Sequence, residues 1–327
     1  MKKLKLSKIN SLLLLVSMLL FSCGPKTIEQ QVEIVIKSND IDERQSLSYA
    51  IADSLSIKAD ELFLGLHQNP IAIEALKNIL TRYSEIIKTN PSETERALDC
   101  IRYITEPNLN GQDKLNEDKI ELIIHALQIQ NLDEKYETIL ISAANKHGKT
   151  AMVKIIDSWH NNKNSVSVIN AIKSFDDKAI TYLVNIMETD TVAIDLLARF
   201  GKPVVQTMVD KMKDQEQSVR FAAGDVLVQM QKYDPNAIAI LTSAIDNGGV
   251  NIIAKNYPFY LRLGDYNTVD NLLKALDLNF DQSMCLDYLN CGNPVLEKGA
   301  SDIAAKRGYE VTTSVGSHYG PKWGSGN

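Results

Sequence analysis

Gly148-Lys149-Thr150-Ala151-Met152-Val153-Lys154-Ile155-Ile156-Asp157 aligns without a gap on Gly201-Lys202-Pro203-Val204-Val205-Gln206-Thr207-Met208-Val209-Asp210, 53 residues further on. Both segments place apolar side chains at i, i+1, i+4, i+5 and i+8. These are Ala151, Met152, Ile155, Ile156 and Trp159 in one, and Val204, Val205, Met208, Val209 and Met212 in the other. That spacing gathers the apolar side chains on one face of a helix and has no meaning at the two-residue period of a strand. Ala179, Ile180, Leu183, Val184 and Met187 fit the same template. With one mismatch each it fits from 119, 237 and 268, and it returns at Val295, Leu296, Ala300 and Ile303. The seven starts, 119, 151, 179, 204, 237, 268 and 295, advance by about 29 residues, room for two helices of about 11 residues and two turns.

A second helix follows each first one. Val219, Ala222, Ala223, Val226, Leu227 and Met230 form its clearest stripe, and Tyr136, Ile139, Leu140, Ala143 and Ala144 repeat it earlier. Neither helix can bury its stripe alone, whereas stacked pairs share one continuous core. The expected fold class is therefore all-α, an α-solenoid of stacked antiparallel helix pairs. In residues 30–110, Pro91 followed by Ser92-Glu93-Thr94-Glu95 reads as a capping box, with Glu95 reaching back to the helix start. Weak echoes of the template at Ile73, Leu76, Leu80 and at Ala97, Leu98, Ile101 leave two readings of that region: divergent repeats that cap the array, or a separate helical domain.

The stretch Met208–Met230 carries Asp214 in the turn between its helices and Ser218-Val219-Arg220-Phe221-Ala222-Ala223 on the second helix. It resembles HEAT repeats of the short, roughly 30-residue type, and the resemblance extends in weaker form over about residues 119–305. It implies a HEAT/armadillo-like superhelix in which Asp214 and Arg220 tie neighbouring turns together. Ser165-Val166-Ser167, at the same offset of 53, lacks the arginine.

The chain begins with four lysines among its first eight residues and continues with an apolar run from Ser11 to Phe21. The run is shorter than the roughly 20 residues needed to span a bilayer and reads as an export signal. Leu20-Phe21-Ser22-Cys23 resembles the lipobox of bacterial lipoproteins, with Leu three residues and Ser one residue before the cysteine; Phe21 is bulkier than is usual at its place. The resemblance implies cleavage before Cys23, acylation of that residue by palmitate-type chains, and anchoring to a membrane. The expected organisation is a signal peptide at 1–22, a tether at 23–38, a divergent helical region at 39–118, HEAT-like repeats at 119–310 and a flexible tail at 311–327.

A hydrophobic share of 44% over 327 residues excludes wholesale disorder and a polytopic membrane protein, and four cysteines in so long a chain are no disulfide framework. Loss of residues 1–22 leaves 31 basic against 41 acidic side chains, a net of −10 without a basic cluster, so nucleic acid is not an expected partner. Gly148-Lys149-Thr150 has the end of a phosphate-binding loop, yet the first glycine of that motif is replaced by Ala143, and the twin at Gly201-Lys202-Pro203 makes both a repeat turn. His67, His125, His147, His160 and His318 are scattered singly, and Cys285 and Cys291, six apart, are poorly placed to bridge. Asp176-Asp177 sits at a helix start, where acids complement the dipole. No cofactor, metal or catalytic set is expected. Trp159 falls in a core slot, whereas Phe221 lies one residue off its stripe and is expected to be exposed.

Tyr319 and Trp323 stand in a glycine-rich tail, either docked on the last repeat or free to meet a partner. Phe221 and Trp323 are the two candidate partner contacts. The expected function is a non-enzymatic, lipid-anchored envelope scaffold that binds a protein or peptide, with the outer membrane favoured because Gly24, not Asp, follows Cys23. The rivals are an enzyme built on HEAT-like repeats and a purely structural envelope spacer.

Overall fold

The computed structural model describes residues 34–54 (36 excepted), 70–108, 113–161, 165–310 and 321–324. These hold 17 α-helices and three short 3-10 turns, and no strand is found among the described residues. The chain divides into two compact units, Met1–Ser174 and Phe175–Asn327.

In the first unit α1 is Ile41–Ser54, α2 Pro70–Thr89, α3 Thr94–Thr105, α4 Asp113–Leu127, α5 Glu134–His147, α6 Lys149–Ser158 and α7 Val166–Lys173. The first helices stack as α2 on α4 on α6, and the second helices as α3 on α5 on α7. Residues 70–105 thus pack on the following pair as later pairs pack on one another, and position 118 lies inside α4. Between the layers sit Leu80, Tyr83, Ile101, Leu122, Ile123, Leu140, Ile155 and Trp159, all buried. Tyr136 donates its hydroxyl to the Leu80 carbonyl at 3.1 Å, joining α5 to α2. The capping box expected at 92–95 does not form. Pro91 opens a 3-10 turn, Pro91–Glu93, that runs into α3, and Ser92 turns its hydroxyl to the Asn90 side chain. Glu95 points to Lys135, 3.8 Å away on α5.

In the second unit α8 is Asp177–Ile186, α9 Thr191–Phe200, α10 Lys202–Lys211, α11 Gln217–Met230, α12 Ala239–Asp246, α13 Val250–Lys255, α14 Tyr257–Leu263, α15 Val269–Leu278, α16 Gln282–Leu289 and α17 Pro294–Lys306. All seven template starts fall in first helices, α4, α6, α8, α10, α12, α15 and α17, or in the 3-10 turns that lead into α12 and α15. Stacked helix pairs of this kind, each packing on its neighbours, make both units solenoid-like. Gly148 and Gly201 adopt nearly the same conformation, φ 66°, ψ −139° and φ 70°, ψ −137°. That region favours glycine, though Asp176 enters it before α8 at φ 48°, ψ −130°, and the two twins are one turn used twice.

One pair departs from the pattern. Its second helix is split into α13 and α14 at Asn256-Tyr257-Pro258, because proline fits a first helical turn and not a helix interior. The freed segment α14 lies directly on α11. A Cβ at Gly224 would sit 3.0 Å from the Pro258 carbonyl, so any larger residue would push this approach apart by a few tenths of an ångström. The stack closes on α17, which buries Leu296, Ala300 and Ile303 and turns Glu297, Lys298 and Asp302 outward or to its edges.

Candidate functional site

The split pair brings three helices to one carboxylate. Asp287 on α16 is 1% exposed. Its Oδ2 accepts from the Arg220 guanidinium at 2.9 Å and from the Tyr257 hydroxyl at 2.6 Å, and its Oδ1 accepts from Gln217 Nε2 at 2.5 Å. Arg220 Nη1 also donates to the main-chain carbonyls of Asp214, at 3.0 Å, and Gln215, at 2.9 Å. The expected link between Asp214 and Arg220 therefore runs through the Asp214 main chain. The Asp214 carboxylate accepts instead from the Glu216 N–H at 3.1 Å and pairs with Lys211 at 3.3 Å. Burial, and then the Asp287 charge, raises the Tyr257 pKa, so this phenol stays a donor. Burial opposes the charge on Arg220, but Tyr257 and Asp287 outweigh it and raise its pKa.

Arg220 and Tyr257 form part of the wall of a pocket of about 370 Å³. The turn after α10, helix α13, the turn before α16 and the first residues of α16 supply the remainder, including Gln215, Asn251, Lys255 and Ser283. Asp281 also lines it, with its carboxylate held by the Met284 N–H at 2.8 Å. The side chains of Gln215, Asn251, Lys255 and Ser283 make no hydrogen bond or ion pair with other described residues. A polar floor in which Asp287 joins Arg220, Tyr257 and Gln217, with Arg220 Nε alone left unpaired, thus lies under a rim of uncommitted polar groups, which suits binding by hydrogen bonds. In the first unit, the cleft between the turn at 128–132 and Ser165–Ser167 has its one carboxylate, Glu137, already engaged by Ser167 at 3.0 Å and Asn170 at 2.7 Å.

Phe221, expected to be exposed, is completely buried, and the expectation is corrected. Gly224 lets α14 cover the flank of α11, and the Arg262 guanidinium, 4.9 Å from the ring centroid, closes over Phe221. Trp323 is half-buried. Its N–H donates to the Cys291 carbonyl at 2.8 Å, and its ring meets Tyr266 edge-on at 5.6 Å. Pro321 beside it is buried, so residues 321–324 of the tail dock on the second unit. Tyr319, Cys23, His67 and His318 lie outside the described residues.

Trp159 fills its core slot at 0% exposure, as Met187 and Met212 do at 1% each in theirs. His125 and His147 are partly buried singly, and burial lowers both their pKa values. Cys100, Cys285 and Cys291 are buried and form no disulfide among the described residues. Among the described residues no three His, Cys, Asp or Glu side chains group to hold a metal ion, and no helix is long and apolar enough to cross a membrane. Compared with known proteins, the chain matches no family model and no curated protein. Sequence reasoning missed Asp287. Its one signal is an acid inside the apolar run Met284-Cys285-Leu286-Asp287-Tyr288-Leu289, with partners 30, 67 and 70 residues away.

Proposed function

We propose that this chain is a lipid-anchored protein of the bacterial cell envelope, HEAT-like in its repeats, that holds a protein or peptide partner and carries out no chemistry of its own. One observation carries the binding role: the uncommitted rim of Gln215, Asn251, Lys255 and Ser283 over a floor built on the Asp287 network. Exposed polar side chains without internal partners have no intramolecular hydrogen bond to break when they exchange water for a ligand. The anchoring role rests on Leu20-Phe21-Ser22-Cys23 and the apolar run before it. An outer-membrane site follows from Gly24, and the net charge of −10 left after loss of residues 1–22 argues against nucleic acid as the partner.

Two experiments test the parts separately. Cys23→Ser should abolish incorporation of radioactive fatty acid and leave the protein soluble or uncleaved; continued acylation of this variant refutes the anchor. A photo-crosslinking residue at Asn251, which is exposed on α13, should give a discrete adduct in intact envelopes. A residue at the exposed Lys178 on α8, away from the pocket, should not. Equal labelling from both positions removes the pocket as the partner site.

A further inference from the structure

The pocket has an uneven electrostatic balance. Three acids stand in or behind its wall, and each already has a local partner. Asp214 is paired with Lys211 and the Glu216 N–H, Asp281 holds the Met284 N–H, and Asp287 holds Arg220, Tyr257 and Gln217. Of the cations in the wall, Arg220 is committed to Asp287, and Lys213 meets Asp210 at 3.2 Å. Lys255 is left without a counter-ion among the described residues. A single exposed lysine without a counter-ion favours one negative charge. The flanking Asp214 and Asp281 oppose a second, which disfavours a phosphate dianion. Gln215 and Asn251 each present an amide that donates and accepts, and Ser283 a hydroxyl, the complement of peptide N–H and C=O groups. A volume of about 370 Å³ is at the small end of ligand pockets.

From this juxtaposition we infer that the pocket receives a carboxylate-bearing stretch of polypeptide, with the carboxylate on Lys255 and its neighbouring peptide groups on Gln215, Asn251 and Ser283. The inference rests on the binding role proposed above and adds the chemistry of what is bound. Met212 and Met284, buried in the pocket wall at 1% and 3% exposure, provide the readout. In full-length protein labelled with ¹³C at its methionine methyl groups, N-acetyl-trialanine with a free carboxylate should shift the Met212 and Met284 resonances saturably. N-acetyl-trialanine amide should not, and N-acetyl-Ala-Glu-Ala amide, which moves the charge to a side chain, should restore the shift. Lys255→Gln should weaken the carboxylate probes about three- to five-fold, the size of a partly exposed ion pair, and Lys255→Arg should retain them.

Equal shifts from the amide probe overturn the carboxylate assignment. A larger shift from inorganic phosphate overturns the peptide assignment in favour of a plain anion site. Silence from every probe overturns the carboxylate-peptide assignment and leaves the partner site to the adduct at Asn251. None of these outcomes touches the cross-linking result at Asn251, so failure here and failure of the binding role are separable.

Discussion

Asp287→Ala should be among the most damaging single changes in the second unit. The carboxylate is 1% exposed and accepts from Arg220, Tyr257 and Gln217. Its removal leaves the Arg220 cation, itself 7% exposed, with only the two carbonyls of Asp214 and Gln215, and it orphans the Tyr257 hydroxyl. Breaking one side of a buried pair costs about 3–5 kcal/mol, because the remaining charge stays out of water. With a denaturant slope near 2 kcal/mol/M, the urea midpoint should fall by about 1.5–2.5 M. Hydrogen exchange in α11 and α16 separates this loss from unfolding of the first unit.

Replacing the whole network by apolar groups, with Arg220→Met, Tyr257→Phe and Asp287→Leu together, removes the stranded charge and should recover most of the loss, to within about 1–2 kcal/mol of the parent. Two results refute the reasoning. One is an Asp287→Ala cost below about 1 kcal/mol. The other is a triple variant as unstable as the single one, which would place the damage in lost packing.

Val226→Asp puts a charge at a 0% exposed position of α11 and should cost about 3–5 kcal/mol by chemical denaturation; an unchanged midpoint contradicts burial of that face. Gly264→Ala combines a φ of +67° with a Cβ that would overlap the Cα of Gly324. It should lower stability by about 1–2 kcal/mol and red-shift Trp323 emission, with Trp159 a constant buried background; unaltered emission denies the docking. Burial, only partly opposed by Arg262, raises the Asp225 carboxyl to about 6. The folded state then holds this proton more tightly than the unfolded chain. Its contribution is fully present below about pH 4 and is lost as pH rises through about 6, on the order of 3 kcal/mol. Asp225→Asn should flatten the stability profile between pH 4 and 7, and a parent profile without that decline refutes the assignment. His125 and His147, lowered by burial, act in the opposite sense: the first unit should lose stability as pH falls below about 6.5, seen as earlier melting of α4 and α5 by hydrogen exchange.

The array was legible because its signal is periodic and local. Trp159, Met187 and Met212 share a slot in the template and share burial in the fold, and Gly148 and Gly201 share a turn. What stayed hidden depends on partners distant in sequence. Phe221 sits at the margin of a stripe whose width assumes one covered face. Helix α11 is covered on both, since Pro258 breaks the following helix and Gly224 admits the broken piece. The wrong cap at 92–95 has a nearer cause, as Pro91 starts a 3-10 turn that displaces the helix by one residue and puts Glu93 where Ser92 would cap it. The pocket was illegible for the same reason as Phe221. Its walls come from three helix pairs, and they meet only because the middle pair does not keep the repeat geometry.

The docked segment Pro321–Gly324 alters how the second unit can come apart. A one-dimensional array normally frays from its last element, which is held by neighbours on one side only. Here the chain passes through α17 and returns. Trp323 donates to Cys291, just beyond α16, and Gly324 donates to Leu261 in α14 at 2.9 Å. These two main-chain bonds lash the ends of two successive pairs together, and α17 lies within the loop they close. Unzipping from this end cannot begin by shedding α17 alone, because the lashing must open first. Under a force applied to the C-terminus, the load falls on Trp323, Gly324 and the buried ring of Pro321 before any helix of the array feels it.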